Sequence, residues 1–278
     1  MKAMRYTSKS ILWMVSILVM SLTVSSCEPG QLIEQTLTPT KPPVPTTTSI
    51  PPTDTPAPTA TSIPPTNTPI PVPDSLEQGI VAHYPFNGDA NDVSGHGYHG
   101  VVNGAALSVD RFGDPNKAYG FDGAGDYIEI PDIGTYDQLT ESLWVYYKGT
   151  SHIAVLNCHT EWSANYLHFE ITGNRVEFAI HGSNSDQYSD FMFGSSTLNQ
   201  WHHIAVTYDS ATGKIQFYID GKLDAVRQYD VPRPVTVGPA WIGGWNRESR
   251  WYRGSLDDIR IYNRVLSAPE IQILHQGQ

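Results

Sequence analysis

The fold class predicted for residues 79–278 is all-β, a two-sheet antiparallel jelly-roll sandwich, and three observations carry the prediction. Short runs of alternating apolar and polar residues, rich in β-branched and aromatic side chains, recur between turn signals: DYIEI, SLWVYY, YLHFEI, RVEFAI, WHHIAVTYD and IQFYID. Two of these junctions are two-residue pairs, Gly173 with Asn174 and Asp220 with Gly221, of the kind that close a tight hairpin because both positions need positive φ. No amphipathic helical segment of any length occurs before a short terminal one at residues 268–275. A dozen or so strands without parallel crossover units bury their apolar faces most simply as two packed sheets.

The segments before this domain differ from it. Residues 1–26 place Lys2, Arg5 and Lys9 ahead of an apolar run at residues 11–22, the pattern of a secretion signal and too short for a membrane-spanning helix of the mature protein. The closing LTVSSC resembles the lipobox of bacterial lipoproteins, which implies cleavage before Cys27 and lipid attachment to it. An anchor of that kind holds a protein to a membrane without spanning it. Residues 27–78 then form a linker in which threonine and proline alternate with almost nothing to bury. In polyproline conformation, at about 3.1 Å per residue, its Thr/Pro-rich part reaches on the order of 100 Å. The expected location is the bacterial cell envelope, with the domain held outside the cytoplasmic membrane or on the cell surface.

Charge and cysteine usage narrow the function classes. Removing the three basic residues of the signal takes a formal charge of −11 to −14. An acidic surface argues against nucleic acid and anionic membrane as partners and fits cations. Cys158 is the other cysteine and is expected to be a buried small hydrophobe, so no disulfide framework is available. His202 and His203 fall on opposite faces of a strand, and no zinc-type histidine spacing occurs elsewhere.

Four ordered stretches, GIVAHYPFNGDANDVSGHGYHG, KAYGFDGAGDYIEIP, WHHIAVTYDSATGKIQFYIDGKL and GSLDDIRIYNRVLSAPEI, resemble the laminin-G-like jelly-roll domains of the concanavalin A-like lectin and glucanase superfamily. The likeness covers residues 79–274. It implies two curved sheets and a role in binding or adhesion. ESLWVYYKG departs from the family's usual small residue before the tryptophan.

The resemblance also implies a structural calcium held by an aspartate of the last strand together with backbone carbonyls of the first strand and a neighbouring loop. Alternation around Ile259 and Ile261 turns Asp258 outward and starts the inward row at Asp257, so Asp258 is the first metal candidate and Asp257 sits at the rim. Both aspartates could instead accept hydrogen bonds from loop amides, or be turned outward together by a bulge. Asp89 and Asp92, in the oxygen-rich NGDANDVSGHGYHG loop, are further candidate ligands, although such residues also simply make turns.

Glycan binding is the expected function, with Trp245, Arg247, Trp251 and Arg253 of GGWNRESRWYRG as first contacts and Trp162, Tyr166 and His168 of the concave sheet as the alternative site. Aromatic rings stack on sugar faces and arginines donate to hydroxyls or carboxylates. Tyr252 matches a family aromatic and is expected in the core. A cell-surface protein is the alternative partner. Hydrolases of the superfamily carry a Glu-x-Asp-x-x-Glu run, and Glu170 and Glu177 do not form one because a hairpin turn separates them. The expected role is therefore non-catalytic, with a divergent glycan hydrolase as the weaker reading.

Overall fold

The computed structural model describes residues 74–149, 152–158, 163–245 and 250–277. Cys27, Trp162 and Arg247 lie outside the described residues. A one-turn helix α1 (Asp74–Glu77) precedes β1 (Ile80–Tyr84), β2 (Val101–Asn103), β3 (Ala106–Ser108), β4 (Ala118–Asp122), β5 (Tyr127–Ile130), β6 (Gly134–Tyr136), β7 (Gln138–Tyr147) and β8 (His152–Cys158). Then come β9 (Leu167–Thr172), β10 (Arg175–Ile180), β11 (Gln187–Tyr188), β12 (Trp201–Asp209), β13 (Lys214–Ile219), β14 (Lys222–Gln228), β15 (Val235–Val237), β16 (Ala240–Ile242) and β17 (Arg253–Tyr262), and α2 (Ala268–Gln276) ends the order.

The strands form the expected antiparallel sandwich. One sheet runs β14-β13-β12-β7-β17-β4-β3, with β1 added beside β17, and the facing sheet runs β11-β10-β9-β8-β16-β5-β2. Both hairpin pairs behave as their residues require: Gly173 and Asn174 have φ of 56° and 65°, Asp220 and Gly221 of 49° and 75°. Alternation then divides each strand. Leu143 and Val145 of β7, Ile259 and Ile261 of β17, Phe169 and Ile171 of β9 and Phe178 of β10 meet between the sheets. Tyr252 is fully buried there, and so is Cys158, whose thiol burial pushes up to about 12.

One inward position breaks the apolar pattern. Glu141 falls in the same row of β7 as Leu139 and Leu143, is 2 % exposed, and neither carboxylate oxygen has a hydrogen-bond partner. Burial raises its pKa to about 8, so the side chain is neutral at physiological pH.

A second cluster lies on the outer side of the eight-stranded sheet, where α2 packs Ile271 and Leu274 over Ala205, Tyr218 and Tyr262. Glu270 caps this helix by accepting from the Ser267 backbone N–H at 2.8 Å. Leu76 of α1 inserts into the same cluster, and Arg264 donates to the carbonyls of Gln78, at 2.8 Å, and Ser75, at 2.5 Å. The chain therefore enters the sandwich beside its C-terminal helix, on the outer side of that sheet.

The last strand carries a bulge. Leu256 and Ile259 both pack inward, the register to β7 shifts between Asp257 and Arg260, and Asp258 has φ of 47°. Two residues stand where one would continue the alternation, so both aspartates turn outward. This corrects the expected inward placement of Asp257. On its other edge β17 pairs with β4 along residues 253–256 and with β1 along residues 259–262, which leaves the aspartates at the gap between those two strands.

Candidate ligand-binding face

The outer face of the seven-stranded sheet collects the polar and aromatic residues left over when its apolar partners turn inward. Register sets Glu129 of β5, Trp241 of β16, Asn157 of β8 and His168 of β9 in one lateral row. In the neighbouring row Glu170 of β9 lies directly opposite Glu177 of β10, which is opposite Tyr188 of β11. The hairpin that separates the two glutamates in sequence is what juxtaposes them.

Their environments exclude a freely acting pair. Glu170 is fully buried, takes both oxygens' bonds from Arg250 at 2.8 and 2.9 Å, and accepts a further short bond from the Asn157 amide. Glu177 is buried too, and burial with the nearby charges of Glu177, Asp186 and Glu170 pushes the Tyr188 phenol up to about 12. Beside them, the Trp245 indole N–H donates to the Cys158 carbonyl at 3.1 Å, its ring meets His168 edge-on at 4.8 Å, and the Arg250 guanidinium covers it at 4.5 Å. Together with the Ala154 N–H donating to the Arg250 carbonyl at 3.1 Å, these contacts pin the chain on either side of residues 246–249 to the sheet face.

Accessible aromatic surface lies next to this buried network. Tyr127 stacks on Trp241 with ring centroids 3.8 Å apart and 20° between planes. Trp251 lies 5.9 Å from Trp241 and 6.3 Å from Tyr127, at 21° and 28°. All three rings are half-buried. Trp251 can approach this closely because Gly244 has no side chain: a Cβ there would come within 2.7 Å of the indole.

The expected contacts therefore separate. Trp251 belongs to the aromatic group. Trp245, only 4 % exposed, and His168, 2 % exposed, are interior supports, which corrects their assignment as ligand contacts. Tyr166 is half-buried, packs against the core and bridges through its backbone to Thr236. Arg253 is exposed but sits on the other sheet, paired with Asp122. Tyr127, Trp241, Glu170 and Arg250 were not among the expected contacts. The signal for the first three was present, since each alternates with neighbours that pack inward.

The metal candidates separate as well. Asp89 is exposed and accepts from the Asn91 backbone and side-chain amides at 3.0 and 2.7 Å. Asp92 accepts from the backbone N–H groups of His83, Ser94 and Tyr98 at 2.9, 2.9 and 3.0 Å and from the Ser94 hydroxyl at 2.9 Å. Burial opposes its ionisation, but these bonds outweigh burial and hold its pKa below the usual carboxylate range. Asp258 also stays well below that range despite its burial, because Arg260, His83 and Arg111 surround it. Such a donor set does not fit calcium, whose ligands are uncompensated oxygens. Among the described residues, no three His, Cys, Asp or Glu side chains are grouped as a metal ion would need.

Comparison with known proteins identifies the fold and the family. Domain 4 of AbnA, a GH43 extracellular arabinanase from Geobacillus stearothermophilus solved in complex with arabinotriose, is 23% identical with a TM-score of 0.57 over 71% of this chain and 98% of that one. The binding domain of Paraclostridial Mosquitocidal Protein 1 is 17% identical with a TM-score of 0.60, covering 72% of this chain and 52% of that one. The pentraxin fusion protein of Xenopus laevis is 23% identical over 88 residues, 29% of this chain, and the match spans about a fifth (21%) of that relative's length. A laminin-G family model matches residues 122–272, more than half of the sequence, and by that match the chain belongs to the concanavalin A-like lectin/glucanases superfamily.

Proposed function

We propose that this protein is a non-catalytic carbohydrate-binding module, held at the bacterial cell surface by a lipid on Cys27 and presented on its Thr/Pro-rich linker. The observation that carries the reading is the group of three half-buried, near-parallel rings, Tyr127, Trp241 and Trp251, on the outer face of the seven-stranded sheet. Flat apolar rings bordered by a carboxylate such as Glu129 suit a sugar, which offers C–H bonds on its faces and hydroxyls at its rim. The arabinotriose complex of the arabinanase domain supports a carbohydrate ligand on this fold.

Two features support display. Leu76, near the start of the domain, packs on the outer side of the eight-stranded sheet, whereas the aromatic group lies on the seven-stranded sheet. The alternation of threonine and proline leaves the linker sequence with almost nothing to bury. Non-catalytic action is supported by the burial of Glu170 under Arg250, which removes that carboxylate from reach of a scissile bond.

The test is a screen of the full chain carrying Cys27→Ser against neutral and acidic polysaccharides and oligosaccharides, reading both binding and newly released reducing ends. Retention on at least one glycan without release of reducing ends is expected. Release would establish a hydrolase. Absence of retention on every glycan, with capture of a surface protein instead, would establish the adhesion reading.

A further inference from the structure

Three elements meet at the aspartate bulge, and each sends a nitrogen donor to it. The first strand supplies the His83 ring, whose Nε2 lies 2.8 Å from Asp258 Oδ1. The loop between β3 and β4 supplies Arg111, with Nη1 2.5 Å from Asp257 Oδ2 and Nη2 3.7 Å from Asp258 Oδ2. The last strand itself supplies Arg260, whose Nε and Nη2 donate to the two Asp258 oxygens at 2.9 and 3.3 Å. These side chains line one cleft of about 300 Å3.

Charge among the clasping groups is balanced, and Asp110, Asp114 and Lys117 complete the charged lining of the cleft. Two guanidinium groups face two carboxylates, and Arg111 is nearly buried, 8 % of its side chain being exposed, beneath the Trp144 ring at 4.8 Å. A dication entering here would displace or confront both arginines at contact distance in a poorly solvated site, where like charges repel strongly. Position matters as much as charge. On the edge away from β7, β17 has no ladder partner between its β4 and β1 segments, and Arg111 reaches across that gap from the neighbouring loop while His83 reaches it from β1.

We propose that Arg111 is the resident cation of this junction: its guanidinium, with Arg260 and His83, clasps the last strand to the first strand and to the β3–β4 loop, and the junction takes no divalent metal. The clasp is independent of the glycan face, which lies on the other sheet.

Thermal unfolding of the full chain carrying Cys27→Ser tests this, because the two accounts give Arg111 opposite signs. Under the clasp, the midpoint is the same in calcium and in chelator, and Arg111→Gln lowers it by several degrees, the loss being limited because burial already raises the Asp257 pKa to about 7 and the unpaired carboxyl takes up a proton. The double variant Arg111→Gln with Asp257→Asn loses clearly less than the sum of the two single losses. Were a calcium ion held here, removing the neighbouring positive charge would tighten its binding, so a calcium-raised midpoint that rises further in Arg111→Gln would overturn the proposal. Terbium luminescence of the unaltered chain reads the same question without any variant. No sensitised emission is expected, and emission competed away by calcium and lost in Asp258→Asn would equally overturn it.

Discussion

Glu170 and Arg250, eighty positions apart, form a two-bonded ion pair at 2.8 and 2.9 Å beneath the loop that carries Trp251. The glutamate is fully buried and 15 % of the arginine side chain is exposed. The pair thus ties the chain next to Trp251 to the sheet. Removing one partner leaves the other charge stranded, so Glu170→Gln is expected to cost about 3–5 kcal/mol, read by denaturant unfolding. The double variant Glu170→Gln with Arg250→Met should recover much of that loss. A Glu170→Gln protein as stable as its parent would refute the pairing.

Glu141 gives a pH signature. Its pKa is raised by burial from 4.5 to about 8 in the folded protein. Between those values the unfolded chain has released a proton that the folded chain keeps, so this group's contribution is full below pH 4.5 and is lost as pH rises to about 8. The loss is on the order of 4 kcal/mol. Glu141→Met should be the more stable protein at pH 8, with an advantage that narrows toward pH 5. Parallel stability curves for parent and variant would contradict this.

His203 gives the opposite limb. Burial, with His275 beside it, lowers its pKa from 6.5 to about 3, and its Nε2 shares a 2.8 Å hydrogen bond with the Ser142 hydroxyl. The unfolded chain therefore binds a proton that the folded chain refuses, and stability falls as pH drops from 6.5 toward 3. His203→Asn should flatten that acid limb over those pH values. The check is urea unfolding at a series of pH values, and an unchanged slope would remove His203 as its cause.

How much of this was legible in the sequence differs by element. The sandwich was, because alternation and the two turn pairs are local properties, and Asp220, Gly221, Gly173 and Asn174 took the dihedrals their positions demand. The aspartate pair was only half legible. Period-two alternation assigned Asp257 inward, whereas the bulge turns it outward to meet Arg111 of the β3–β4 loop, 146 positions away. Of the aromatic group Trp251 was expected, and Tyr127 and Trp241 were missed for a related reason: the three come from β5, β16 and a loop, and only sheet order makes them neighbours. Trp245 misled because a tryptophan in a polar loop reads as surplus, and its burial depends on Cys158 and Arg250 reaching it from other segments.

Glycan affinity of Trp241→Ala and Trp251→Ala, each measured beside its thermal midpoint on the ligand retained in the polysaccharide screen, tests the central claim most directly. The account predicts at least about a tenfold loss of affinity for each variant, equivalent to 1.4 kcal/mol, with the fold intact by circular dichroism and a midpoint within a few degrees of the parent. Parental affinity in a folded Trp241→Ala, Trp251→Ala double variant would contradict it.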